Sequence, residues 1–155
     1  MIKEKKITPA DLEEMSHLSR INLINSITGY KSASLIGTKS TAGHLNVAIF
    51  SSVTHIGSNP PLIGFIVRPT TVTRNTYDNI RETGFYTINH INQNIITDAH
   101  HTSAKYPENI SEFDKTALNT EFRGDFLAPY VQEAVIKIGL AFREEIPICC
   151  SNRLY

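Results

Sequence analysis

Only two of the 155 residues are cysteine, neither sign of charge is in excess, and no apolar run is long. Each shortage removes a class of protein. Cys149 and Cys150 are neighbours. Adjacent side chains in extended chain point to opposite faces, so the pair is a poor chelator, and it lacks C-x-x-C spacing. The two cysteines read as small apolar residues or free thiols. Lys plus Arg and Asp plus Glu each number 15, which leaves no broad basic field to hold a phosphate backbone. No nucleic-acid polymer is expected as a partner. The opening stretch MIKEKKITPADLEE is charged and has no apolar leader core, and no later segment is apolar for long enough to cross a bilayer. The expectation is a cytoplasmic protein with no membrane partner.

Several catalytic signatures are also missing. The stretch SLIGTKSTAG has too few glycines for a dinucleotide fingerprint, and no βαβ pattern follows it. Neither a G-x-S-x-G elbow nor a Walker loop occurs, so hydrolase and NTPase readings have no support. The histidines at 17, 44, 55, 90, 100 and 101 show no H-x-x-x-H spacing. Adjacent His100 and His101 diverge on a helix, so surface or locally bonded histidine is favoured over a metal site. No metal is expected, and no residue is assigned as catalytic.

The length suits one domain, residues 1–155, able to bury a core without disulfides. In ITPADLEEM, Thr8 caps a helix, Pro9 fits its first position and Asp11 completes a capping box. That helix is expected to end before about Arg20. From Ser32 the pattern changes to short apolar or alternating runs, SASLIGT, LNVAIFSSV, PLIGFIV and FYTINHI, divided by Gly, Asn, Pro and Ser. These are strands, with hairpin-length turns at KSTAGH and HIGSNPP. An antiparallel barrel or sandwich follows, rather than a parallel sheet. NTYDNIRETG reads as a crossover helix capped by Asn75 or Thr73 and stopped by Gly84. NIITDAHHTSAKY reads as a helix or helical turn, and SEFDKTAL begins with Ser111 and Asp114 in a capping pattern. AVIKIGLAF returns to alternation, with Ile136, Ile138, Leu140 and Phe142 on one face of a strand.

Two stretches carry chemistry. RPTTVTRNTYDNI, starting at Arg68, gathers two arginines and four threonines by Thr76, just ahead of the crossover helix. A helix start offers unpaired N–H groups and partial positive charge, and phosphate carries acceptors only, so such a donor cluster suits it. The plainer reading is that threonines favour strands and caps while exposed arginines are common. The second stretch is the strand with Asn46, Ala48, Phe50 and Ser52 on one face. Ala48 is small enough to let something flat approach the backbone. Polar Asn46 and Ser52 need partners if buried, and either a ligand or a satisfied strand edge supplies them.

Taken in order, NVAIFSSV, SNPPLIGF, RP…T-x-x-N-I and TGFYTIN, followed by ISEFDKTAL, resemble the flavin reductase-like family of FMN-binding split barrels, flavoredoxin-like members included. The likeness runs from about Ser32 to about Ile146. It implies a mainly β fold, a six-stranded Greek-key split β-barrel with a few short helices, and a homodimer holding FMN near its interface. It also implies cofactor-binding roles. Asn46, Ala48, Phe50, Ser51 and Ser52 would run along the isoalloxazine and ribityl chain. Arg68, Thr73, Asn75, Thr76 and Asn79 would form the phosphate-side motif and helix start. NADH or NADPH would then reduce the flavin directly, with electrons passing to free flavin or another acceptor. The alternatives are a flavoredoxin-like carrier without nicotinamide turnover and a barrel binding module without cofactor. The segment EEIPICCSNRLY ends where the family would continue with another strand, so a C-terminally shortened barrel is expected.

Overall fold

The computed structural model describes residues 6–68, 74–107 and 109–147. It divides into two compact units, one of residues 1–31 with 145–155 and one of residues 32–144. In the first unit, α1 (Pro9–Glu14) opens with the expected reciprocal cap: the Thr8 hydroxyl accepts the Asp11 N–H, and the Asp11 carboxylate accepts the Thr8 N–H at 2.7 Å. That helix ends at Glu14, before Arg20 as expected, but a second helix that was not anticipated follows it. Ser16 caps this second helix, α2 (His17–Ser26), by accepting the Ser19 N–H. Neither helix has a buried residue in this structure.

The second unit is built on an antiparallel four-stranded sheet in the order β2-β1-β5-β8, from β1 (Ser34–Lys39), β2 (Leu45–Phe50), β5 (Phe85–His90) and β8 (Lys137–Ala141). The β1–β2 hairpin turns where KSTAGH implied. Gly43 takes the left-handed conformation there, and the Ser40 hydroxyl accepts the His44 N–H. One sequence-based assignment changes. HIGSNPP is not all turn, because Thr54–Ser58 forms β3 and pairs with β4 (Pro61–Gly64), with a bulge between His55 and Gly57. The turn itself is only Asn59–Pro60, joined by a cis peptide bond. A third sheet pairs β6 (Thr120–Glu121) with β7 (Tyr130–Val131).

Alternation along the central strands sorts apolar side chains onto two faces. Leu35 and Val47 face a cluster with Ile95, Phe113, Leu118 and Val131. Ile36, Tyr86 and Ile88 face the other way, against Ile80, Phe65 and the β8 residues Ile138 and Leu140. The helix over this second face is α3 (Asn75–Thr83), stopped by Gly84 in the left-handed region as expected. Its N-cap differs from the expectation: Arg74 occupies that position and its side chain makes no capping bond. The later helical stretch is a 3-10 turn at Gln93–Ile95 running into α4 (Ile96–His101). Ser111 caps a second 3-10 turn, Glu112–Lys115, by accepting the Phe113 N–H.

Buried polar groups tie the layers together. Asn89 of β5 donates to the Leu35 carbonyl at 3.1 Å and accepts the Val131 N–H at 3.0 Å, while Thr87 donates to the Pro129 carbonyl at 2.6 Å. The contact is tight enough that Gly37 has no room for a side chain: a Cβ there would overlap the Pro129 carbonyl oxygen. Among the described residues, no helix is long and apolar enough to cross a membrane.

Candidate functional site

Register pairs Thr38 of β1 with Asn46 of β2, on the face that α3 covers. Polar atoms placed there must be paired or they cost about 1–3 kcal/mol each. The pairing is internal. The Thr38 hydroxyl oxygen accepts from the side-chain amides of Asn46 at 3.3 Å and Asn79 at 3.0 Å. Asn46 also donates to the Thr76 hydroxyl at 2.9 Å. All four side chains are buried. Thr38 is therefore a member of the site that motif reading missed. The available signal was its place two residues after Ile36 in β1, which turns it toward the same face as Asn46.

The cofactor-binding residues expected from the sequence fall into two groups. Asn46, Asn75, Thr76 and Asn79 gather where β2 begins and α3 starts. At the far end of β2, the Ser52 hydroxyl accepts the Ile66 N–H at 3.0 Å and donates to the Ile66 carbonyl at 3.2 Å. This clasp holds the end of β2 against the segment that leads to exposed Arg68. Ser51 is exposed beside it. Phe50 is half-buried and meets Phe65 edge-on at 5.1 Å between ring centres. Ala48 lies between the groups, opposite Ile36. Asn46 and Ser52 are six positions apart in sequence, and the strand between them ends at Phe50. Thr73 lies outside the described residues.

β2 is the edge of its sheet, and its outward amides are a resource. The Val47 N–H is already taken, donating to the Glu112 carboxylate at 3.2 Å. Alternation puts the main-chain groups of Leu45 and Ile49 on the same free edge as those of Val47, while Asn46, Ala48 and Phe50 turn theirs toward β1. Burial pushes the Glu112 carboxyl above the usual range, and hydrogen bonds from the Glu112 and Val47 N–H groups partly offset that. Around the start of β2 lies an open cleft of about 540 Å³, walled by the Ser40–His44 turn, Asn46 and Asn79, and by Asn109, Asp114 and Asn119 of the facing segment. Leu45, Phe113 and Leu118 give it an apolar floor. The described residues include no group of three or more His, Cys, Asp or Glu able to hold a metal.

Residues 31–149 match the family model described as the flavin reductase like domain. The chain belongs to this family. A split-barrel protein from Shewanella frigidimarina NCIMB 400, named as a candidate flavin reductase, superposes with a TM-score of 0.87 at 44% identity, covering 91% of this chain and 70% of its own. The flavoredoxin of Desulfovibrio vulgaris (Miyazaki F) superposes with a TM-score of 0.69 at 26% identity, covering 77% of this chain and 64% of its own. Nitrilotriacetate monooxygenase component B from Bacillus cereus shares the fold, with a TM-score of 0.81 at 22% identity, over 96% of this chain and 73% of its own. An uncharacterized protein of Aquifex aeolicus (strain VF5) is 24% identical over 115 residues, 73% of this chain, and the chain spans 59% of that relative's length. The fold of this flavin reductase-like protein is thus the mainly β Greek-key split barrel with short helices.

The Glu112 contact makes a prediction about stability. Folding raises this carboxyl's pKa, so the folded state holds the proton more tightly. Stability then falls as pH rises from the ordinary value near 4.5 through the higher folded value. In Glu112→Gln the amide oxygen still accepts the Val47 N–H without a buried charge. Urea unfolding is expected to show this variant more stable than wild type at neutral pH, the gap closing as pH falls below the ordinary value. A variant less stable by the same amount at every pH would contradict this.

Proposed function

We propose that this chain binds FMN and uses it to pass electrons from NADH or NADPH to free flavin or another acceptor. The observation that carries the reading is the Ser52–Ile66 clasp, which holds the end of β2 beside the segment leading to Arg68. Bound FMN would supply the redox chemistry, taking up a hydride equivalent and passing electrons on.

The donor set fits a phosphorylated flavin. Arg68 and Arg74 bracket the connection that enters α3, and both are exposed. They would hold the phosphate together with Thr73 and the helix start, where Arg74 makes no capping bond and the partial positive charge favours an anion. The ring and ribityl chain would lie along the edge of β2 from Asn46 to Ser52. Edge position matters because the face bearing Asn46 and Phe50 is turned toward α3 and Phe65. The main chain of Ile49 and Ser51, rather than that of Ala48, would then meet the ring. Asn75, Thr76 and Asn79 would fix the angle at which α3 approaches the site.

We assign this site to the unit of residues 32–144, which contains all ten expected residues. Ile66 of the clasp and Ile56 of β3, exposed at 55% and 63% of their full accessibility, support a homodimer that covers them. The protein would work in the cytoplasm.

Stopped-flow mixing of the FMN-loaded protein with NADH and with NADPH tests the electron route. Bleaching of the flavin absorbance by at least one of them is expected. If the flavin stays oxidised with both, yet the protein binds it, the flavoredoxin-like carrier replaces the reductase. A second experiment tests the phosphate grip. Arg68→Ala is expected to weaken FMN by about 1–3 kcal/mol while leaving riboflavin nearly unchanged, because a charge-assisted bond to phosphate is lost. Titration of both ligands into both proteins decides it, and equal losses would move the phosphate elsewhere.

A further inference from the structure

The main sheet has two edges, and the protein treats them differently. At β2 the Glu112 carboxylate occupies the Val47 N–H. At the other end of the order stands β8, and among the described residues no strand pairs with its outer side. Register with β5 fixes which of its groups look outward. The His90 N–H donates to the Ile136 carbonyl and the Phe142 N–H to the Gly84 carbonyl, in line with the ladder between them. Ile136, Ile138, Leu140 and Phe142 therefore turn their main-chain groups toward β5, while Lys137, Gly139 and Ala141 turn theirs to the free edge.

The usual guards on such an edge are a bulge, a proline or a free charge. β8 keeps an unbroken register with β5 and contains no proline. Its one charged residue, Lys137, folds its ammonium back onto the Glu121 carboxylate and the Gln132 carbonyl, which leaves that side chain 7% exposed. Gly139 adds no side chain of its own, because the Tyr130 hydroxyl occupies the place a Cβ would take. The apolar face is also unfinished. Ile138, Leu140 and Phe142 are only half-buried against the cluster of Ile36 and Ile88, and Ile136 is 51% exposed.

The stretch IKIGLAF, Ile136 to Phe142, is its own complement about Gly139. Two copies set antiparallel with Gly139 opposite Gly139 bring Ile138 against Leu140 and Ile136 against Phe142 on both sides of a two-fold axis. These are the closer, non-hydrogen-bonded pairs, in which apolar side chains meet. Lys137 then faces Ala141, so the two lysines stand roughly 14 Å apart along the strands and no like charges are opposed. Sliding the copies by two residues one way would set Lys137 against Arg143, and the other way would carry Phe142 past the strand to buried Ala134. Charge and apolar pattern select the same register.

We propose that β8 pairs antiparallel with β8 of a second copy of this chain about Gly139, joining two four-stranded sheets into one of eight strands. The contact uses none of the residues assigned to flavin. It is independent of that reading and of any contact that covers Ile56 and Ile66.

Amide hydrogen exchange in the full chain reads the contact directly, because the Lys137, Gly139 and Ala141 N–H groups are open in one copy and bonded in a pair. Sedimentation equilibrium on the same samples gives the oligomeric state. Where the chain self-associates, these three amides are expected to exchange at least about tenfold more slowly than unstructured chain, and to lose that protection on dilution to monomer. Ala141→Pro removes one outward donor without touching the β5 ladder, and is expected to weaken self-association at least about tenfold and speed exchange at Gly139. Fast exchange at all three amides in an associated chain would place the contact elsewhere. Slow exchange in a monomer would mean that another segment of the chain covers the edge. Either result overturns the inference, as does a chain still monomeric at about 1 mM or a folded Ala141→Pro that associates as wild type does. The wild-type exchange decides it even if Ala141→Pro does not fold.

Discussion

The Thr38 hydroxyl sits where β1, β2 and α3 meet, and it accepts the side-chain amides of both Asn46 and Asn79. An edge strand and a helix are thereby fastened to the same atom of the next strand inward. Apolar contacts alone do not specify such a meeting, because packing such as that of Ile80 with Ile36 and Ile88 is non-directional. Hydrogen bonds are directional, and an amide left unpaired in this setting is costly. The network therefore sets the rotation and depth of α3. Every residue proposed to meet a ligand at the start of β2 depends on it.

The opposite face uses the same device. Asn89 links β5 to Leu35 of β1 and to Val131 of β7, and Thr87 reaches the Pro129 carbonyl. The central strands are thus stitched by buried side chains on both sides as well as by their ladders. At the edge, Glu112 occupies the Val47 N–H, so β2 is only partly open for pairing. What remains is a short stretch of unpaired main chain between a polar cleft at one end and the Ser52 clasp at the other. In the proposed reading, the ring and ribityl chain of the flavin would lie along this edge.

Much of the fold could be read from residue order. β1, β2, β5 and β8 appeared as alternating runs, Gly84 marked the end of α3, and the Thr8 and Ser111 caps stand where their motifs put them. The misreadings have local causes. THIGS is polar and glycine-containing and forms a bulged strand exposed along most of its length, so it lacked the apolar signal of the others. α2 has no strong apolar face to set its period apart from its surroundings. At α3, Asn75 looked like a cap, yet its place is inside the first turn. Of the candidate site, residue order singled out Asn46, Thr76 and Asn79 but not the network that joins them through Thr38. Motif order joined Thr76 and Asn79 to Arg68. Their burial against Asn46 depends on register between β1 and β2 and on helix placement, which no single stretch encodes.

Hydrogen exchange on Thr38→Val tests the central claim most directly. Valine keeps the shape and removes the shared acceptor, leaving the Asn46 and Asn79 amides to lose about 1–3 kcal/mol each. The account predicts that amides bonded within α3, such as Asp78 to Arg74 and Gly84 to Ile80, exchange much faster, while those of β5 and β8 change less. Equal acceleration throughout the sheet and helix, or none in α3, would contradict it.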